Sequence, residues 1–128
     1  WKTDTASWIK LGTDIDGEAS GDYSGSSVAL SSDGSRVAIG AHWNDGNGAN
    51  SGHVRVLEWK NDAASWMQIG TDIDGEASGD HSGYSVALSS DGNRVAIGAP
   101  SSNGRVRVYE FSSPTESTTN VSLLYWKS

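Results

Sequence analysis

The stretch Gly12–Ala41, GTDIDGEASGDYSGSSVALSSDGSRVAIGA, returns almost unchanged as Gly70–Ala99, GTDIDGEASGDHSGYSVALSSDGNRVAIGA. Extended to Trp8–Ala41 against Trp66–Ala99, the two copies stand 58 residues apart and agree at 28 of 34 positions. Such a chain folds as one supersecondary unit used twice, and a unit of this kind buries its second face only against a neighbour. The 128 residues hold two periods, whereas a continuous repeat core needs roughly three or more. The expected partners are therefore further copies of the chain or further repeats of a longer one. Trp1 aligns with Trp59, so the sequence opens in the middle of a repeat and reads as a piece of something longer.

Ser27–Leu30 (SVAL) and Arg36–Ile39 (RVAI) are short β-branched runs around Ser31-Ser32-Asp33-Gly34, a hairpin signal in which Asp-Gly supplies the positive-φ positions. Ser85–Leu88, Ser89–Gly92 and Arg94–Ile97 repeat them. Further strands are expected at Trp8–Thr13 (WIKLGT), Trp66–Thr71 (WMQIGT), His53–Trp59 (HVRVLEW) and Arg105–Phe111 (RVRVYEF). The loop His42–Gly52 contracts to Pro100–Gly104 in the second copy, which marks it as surface. The 16 glycines and single Phe suit short strands and tight turns better than helices.

The expected fold class is therefore all-β, a tandem array of four-stranded antiparallel β-meander repeats. Small-residue strands crowd near an axis and Trp-bearing strands lie at a wider periphery, which is the taper of a β-propeller blade. The coils of a β-solenoid are shorter and lack a repeated hairpin. Residues 1–58 make the first blade-length repeat, 59–111 the second, and 112–128 a Ser/Thr-rich linker with a terminal strand, Val121–Trp126. The repeated pairs Trp8/Trp66 and Trp1/Trp59 are expected in the core between blades. Asn120-Val121-Ser122 is an N-x-S acceptor, so Asn120 is a candidate glycosylation site on an extended stalk, or a chance sequon in an ordinary loop.

Ser82-Gly83-Tyr84-Ser85-Val86-Ala87-Leu88 followed by Val95-Ala96-Ile97-Gly98-Ala99-Pro100 resembles the FG-GAP repeat of integrin α-like propellers. The first copy matches at Ser24–Leu30 and Val37–Ala41, and the whole is similar in particular to a divergent variety rich in DIDGE and SSDG. The resemblance covers Trp8 to Phe111 and implies a non-enzymatic structural or adhesive module of a cell-surface or secreted protein. There are departures. The family's Phe-Gly is Ser24-Gly25 and Ser82-Gly83 here, and the first Gly-Ala-Pro is Gly40-Ala41-His42. The family's calcium loop between the inner strands is replaced by SSDG, too short to wrap a cation that takes about six to eight oxygens.

Asp14, Asp16, Glu18 and Asp22 recur as Asp72, Asp74, Glu76 and Asp80. Alternating carboxylates around Gly17 or Gly75 are hard-oxygen chemistry for calcium, the one cofactor these loops suggest. The same residues are also turn formers, whose side chains accept backbone N–H bonds without any ion. Arg36 and Arg94, repeated at strand starts, are expected to pair with this acidic loop. Trp43, Tyr23 and Tyr84 differ between the copies, aligning near Ser101, with His81 and with Ser26. Loop aromatics of that kind stack on sugar rings, anchor a protein partner, or simply fill a loop.

Nine basic against sixteen acidic residues leave a net charge of −7, which disfavours nucleic acid and anionic membrane surfaces. No apolar run approaches the roughly 20 residues of a membrane span. Without cysteine there is no disulfide and no thiolate site. Gly25-Ser26-Ser27 echoes a nucleophile elbow but enters a strand rather than a strand–turn–helix. His42, His53 and His81 show no metal-ligand spacing, and no carboxylate pair stands out as acid and base. The reading is a structural or adhesive module acting through blade-to-blade and protein–protein association. The alternative is a carbohydrate-binding or calcium-dependent ligand-binding propeller.

Overall fold

The structure is a computed structural model and describes residues 5–101 and 103–113. Its strands are β1 (Ser27–Leu30), β2 (Arg36–Ala41), β3 (His53–Lys60), β4 (Ser65–Gln68), β5 (Ile73–Asp74), β6 (Ser85–Leu88), β7 (Arg94–Ala99) and β8 (Arg105–Glu110). In the first sheet β1, β2, β3 and β4 follow one another as an antiparallel meander, and β5 continues alongside β3; β6, β7 and β8 form the second sheet. Among the described residues every element is a strand, as the sequence patterning implies.

The inner hairpins form where the SSDG signal places them. Ser31 N donates to Arg36 O at 3.0 Å and Gly34 N to Ser31 O at 3.0 Å, with Gly34 at φ +75°. Asp33 Oδ1 accepts from the Ser35 amide at 2.9 Å, as Asp91 Oδ1 does from Asn93 at 3.0 Å. Those amides, aided by the Ser35 and Ser89 hydroxyls, hold both carboxyls below the usual carboxylate range.

The outer strand departs from the expectation. Trp66–Gln68 lies in β4, yet Trp8–Thr13 forms no strand. The register gives the reason: β4 pairs with the strand of the preceding repeat, Trp59 opposite Trp66 and Leu57 opposite Gln68. For Trp8 the residue corresponding to Trp59 is Trp1, which lies outside the described residues. The DIDG segment behaves likewise, since Ile73–Asp74 pairs with His53–Val54 while among the described residues the identical Ile15–Asp16 has no such neighbour. The first sheet is thus completed by the opening strand of the second repeat, and it runs out of phase with the divisions 1–58 and 59–111.

The tryptophans are corrected with it. Trp8 is fully exposed, with a relative accessibility of 104%. Trp59 and Trp66 are half-buried cross-strand neighbours at the outer edge, packed edge to face at 5.5 Å, and Trp66 Nε1 donates to Leu11 O at 3.0 Å. Trp1, Asn120 and Val121–Trp126 lie outside the described residues.

The core sits between the two sheets. Ala38 and Val54 from the first meet Val95 and Ile97 from the second, with Val56, Ile73, Val86 and Leu88 around them. Alternation along each strand explains the choice: Ala38, Val54 and Val56 share one face of the first sheet, and Val86, Leu88, Val95 and Ile97 share the opposite face of the second. The inner strands β1 and β6 also touch, with Ser27 Oγ donating to Gly83 O at 2.7 Å and Ser32 N to Ser90 O at 2.9 Å. Gly83 lets the segment before β6 lie close against β2 and β3. It has φ +91°, and a Cβ there would come within 2.6 Å of His53 O.

Because the chain repeats, each face can be compared in a covered and an uncovered setting. Val54 is completely buried, whereas its counterpart Val106 is 71% exposed. Conversely, Val86 and Leu88 pack on the core while Val28 and Leu30 are exposed at 63% and 60%. Identical side chains are buried only where a neighbouring blade lies over them. The contact between the sheets is therefore head-to-tail, one face against the opposite face of the next unit.

The loop 42–52 is also not a free surface loop. Asn44 and Ser51 are buried, and the loop docks on the next repeat's acidic loop through Gly75 N to Gly52 O at 2.8 Å and Ser82 N to Ser51 O at 2.9 Å. Among the described residues, the longer loop occurs in the copy that has such a neighbour.

Candidate functional site

The acidic residues separate into distinct environments. Asp14 pairs with Lys10 at 2.8 Å on the open surface, and that ammonium keeps its carboxyl below the usual range. Asp22 is buried and accepts from Asn44 Nδ2 at 2.8 Å, which ties its loop to 42–52, and Asp80 Oδ2 accepts from Ala77 N at 3.1 Å within its own turn. Asp16 contributes its main-chain carbonyl to Arg55 Nη2 at 2.9 Å. Glu76 meets Arg105 Nη1 in an ion pair and lies 3.0 Å from Arg107 Nη1.

Glu18, Asp72 and Asp74 come together from two different copies. They surround a residue that chain spacing did not single out, His53 at the start of β3. Its side chain is 2% exposed, and Nδ1 lies 3.8 Å from Glu18 Oε1, 3.9 Å from Asp72 Oδ2 and 3.9 Å from Asp74 Oδ1. One ligand atom each from Glu18, His53 and Asp72 falls within 4.8 Å of the others. Sequence offered one signal for this: His53 occupies the position that is Arg105 in the second copy.

Arg36 and Arg94 do not pair with the acidic loop. Their strand register sets them opposite Glu58 and Glu110, and Arg36 Nε donates to Glu58 Oε2 at 2.9 Å. Arg36 Nη1 also reaches Gly92 O at 3.0 Å and Asn93 Oδ1 at 2.8 Å, and its guanidinium lies 5.0 Å from the Phe111 ring centroid. It fastens the first sheet to the second. Lys60, ahead of Arg36, holds the Glu58 carboxyl below the usual range, against the opposing effect of partial burial.

A second constellation gathers the aromatics that vary between copies. Tyr23 and Trp43 meet edge to face at 4.7 Å, and His42 lies 5.2 Å from Tyr84 and 5.9 Å from His81. Tyr23, Trp43 and Tyr84 remain 56%, 42% and 58% exposed. Five rings from both repeats thus form one surface patch where the two sheets meet. Partial burial, then the nearby His81, push the His42 imidazole below its ordinary value. Ser26 Oγ fixes that ring through Nδ1 at 2.9 Å.

The serines standing where the family pattern has Phe also have partners. Arg55 Nη2 donates to Ser24 Oγ at 3.2 Å and Arg107 Nη2 to Ser82 Oγ at 3.3 Å. The β3 and β8 arginines thereby tie down the segment that leads into β1 and β6.

Meanders of this form, packed head-to-tail with inner strands adjacent, define a repeat module of the β-propeller blade class. Residues 13–57 match the family model of the FG-GAP repeat, so that span is an FG-GAP-type repeat. No curated protein and no solved structure matches the chain.

Proposed function

We propose that this chain is a non-enzymatic structural or adhesive module of a cell-surface or secreted protein, working by head-to-tail association of its blades with further blades of the same kind. The observation that carries the reading is the contrast between Val54, completely buried, and its counterpart Val106, 71% exposed. The face bearing Val106 and Val108 matches the one that already receives β6 and β7, and the face bearing Val28 and Leu30 matches the one already seated on β2 and β3. Each bare face is complementary to the other, so a second copy extends the array by the contact the molecule already contains. Light scattering of the 128-residue chain tests this. A mass rising with concentration in discrete multiples, and reduced to the monomer by Val106→Asp, is expected. A monomer at all concentrations, with its circular dichroism intact, would refute the association.

The ring patch supports a second reading, recognition of a glycan or protein partner through Trp43, Tyr23 and Tyr84. Flat exposed rings held in one cluster present stacking surfaces at little entropic cost. Trp43→Ala is expected to abolish retention on a glycan array while leaving the scattering mass unchanged. Equal retention of variant and parent would remove this reading and leave the scaffold.

A further inference from the structure

The geometry points to a metal site at His53, Glu18 and Asp72, with Asp74 beside it, suited to a divalent first-row transition ion of the zinc class. Three observations carry it. First, the His53 side chain is 2% exposed and its Nδ1 faces three carboxylates at 3.8, 3.9 and 3.9 Å, beyond hydrogen-bond distance of each. A buried imidazole aimed at carboxylate oxygens that it does not bind is spaced for an ion between them. Three atoms so placed have a common centre about 2.5 Å from each, and contraction by a few tenths of an ångström reaches the Zn–N and Zn–O lengths of roughly 2.0–2.2 Å.

Second, the charge is unbalanced. Among the described residues none of Glu18, Asp72 and Asp74 forms an ion pair with Lys or Arg. In the second copy the counterpart of Glu18, Glu76, receives Arg105 and Arg107. The His53 position is thus where this repeat otherwise places its own cation. Replacing guanidinium by imidazole removes the fixed charge and supplies a ligand nitrogen.

Third, Asp72 is already oriented. Gln68 Nε2 donates to its Oδ1 at 2.8 Å, leaving Oδ2 as the oxygen turned to His53. Outer hydrogen bonds of this kind aim metal ligands. Imidazole nitrogen with carboxylate oxygen favours zinc-like ions over calcium, which prefers oxygen alone.

The site lies between the first repeat's loop and the second repeat's β5, so an ion there would bind the two repeats together. It differs from the hairpin position of the family's calcium loop, which SSDG occupies here.

Isothermal titration of zinc chloride in a non-coordinating buffer tests the proposal, using the chain with His42→Ala and His81→Ala so that His53 is the remaining imidazole. One ion per chain is expected. Glu18→Gln, at a carboxylate 43% exposed and hence without risk to the fold, should weaken binding by on the order of a hundredfold, because a ligand is worth at least as much as the outer-shell partners. His53→Gln should abolish it with circular dichroism retained. The proposal is overturned if zinc heats are unchanged by Glu18→Gln, if the folded chain binds no zinc at millimolar concentration, or if calcium binds more tightly than zinc.

Discussion

Val54 and Val106 are one repeat position in two surroundings, which makes a controlled experiment of the pair Val54→Ala and Val106→Ala. Val54 is completely buried against Ala38, Val95 and Ile97. Removing two methyl groups forfeits about 1.6 kcal/mol of transfer energy at roughly 0.8 kcal/mol each, and the residual cavity raises the cost to about 2–3 kcal/mol. Val106 is 71% exposed, and its truncation should stay within about 0.5 kcal/mol in the monomer. The intrinsic strand preference for Val over Ala acts on both and cancels in the difference. Urea unfolding at low concentration, followed by tryptophan fluorescence, reads the gap. With a slope of about 1–2 kcal/mol per molar, the Val54 variant should melt roughly 1–2 M earlier than the Val106 variant. At concentrations where scattering reports association, the Val106 penalty should grow towards that of Val54. Equal penalties in the monomer would refute the packing of the two sheets. A neutral Val106 in an associated sample would mean that a different face makes the contact.

Arg36→Ala should cost about 2–3 kcal/mol, because it strips charged hydrogen bonds from Glu58, Gly92 and Asn93; Arg94→Ala, at a side chain 65% exposed, should cost under about 1 kcal/mol, and denaturant midpoints of the two variants check the ordering. His42 is held below its ordinary value of 6.5, so its neutral form is favoured on folding. Its contribution is present above that value and is lost as pH falls through the lower folded value, so His42→Gln should flatten the melting temperature on the acid side of 6.5. In His81→Gln the NMR titration of His42 should move up, towards 6.5, as the neighbouring positive charge is removed. An unmoved titration would mean that burial alone sets the shift.

What could be read along the chain was what is local. The SSDG hairpins fold as their turn chemistry dictates, because Asp33 and Asp91 accept amides two residues on, a contact independent of the rest of the molecule. The strands around them follow from β-branched runs bounded by glycine. Trp8–Thr13 was misread because its strand character depends on a partner in another repeat, and alternation along a sequence carries no information about pairing. The same non-local logic hid His53. It lies 35 residues from Glu18 and 19 from Asp72, and only the pairing of β3 with β5 sets it beside the second acidic loop. Its mismatch with Arg105 was visible, yet it acquires meaning only once the carboxylates around it are known. The ring patch lay between these cases. Variation between copies marked Tyr23, Trp43 and Tyr84, but their meeting at one seam depends on how the sheets stack.

The phase offset between repeat and sheet bears on how such genes change length. Since β4 opens the second period and finishes the sheet of the first, removing the 58 residues from Trp8 to Ser65 rejoins the chain at an equivalent position of the repeat. In a longer chain of such repeats, every interior sheet would take its last strand from the unit that follows. Unequal recombination between near-identical copies would lengthen or shorten such a chain in whole units without passing through a product that contains an unfinished interior sheet.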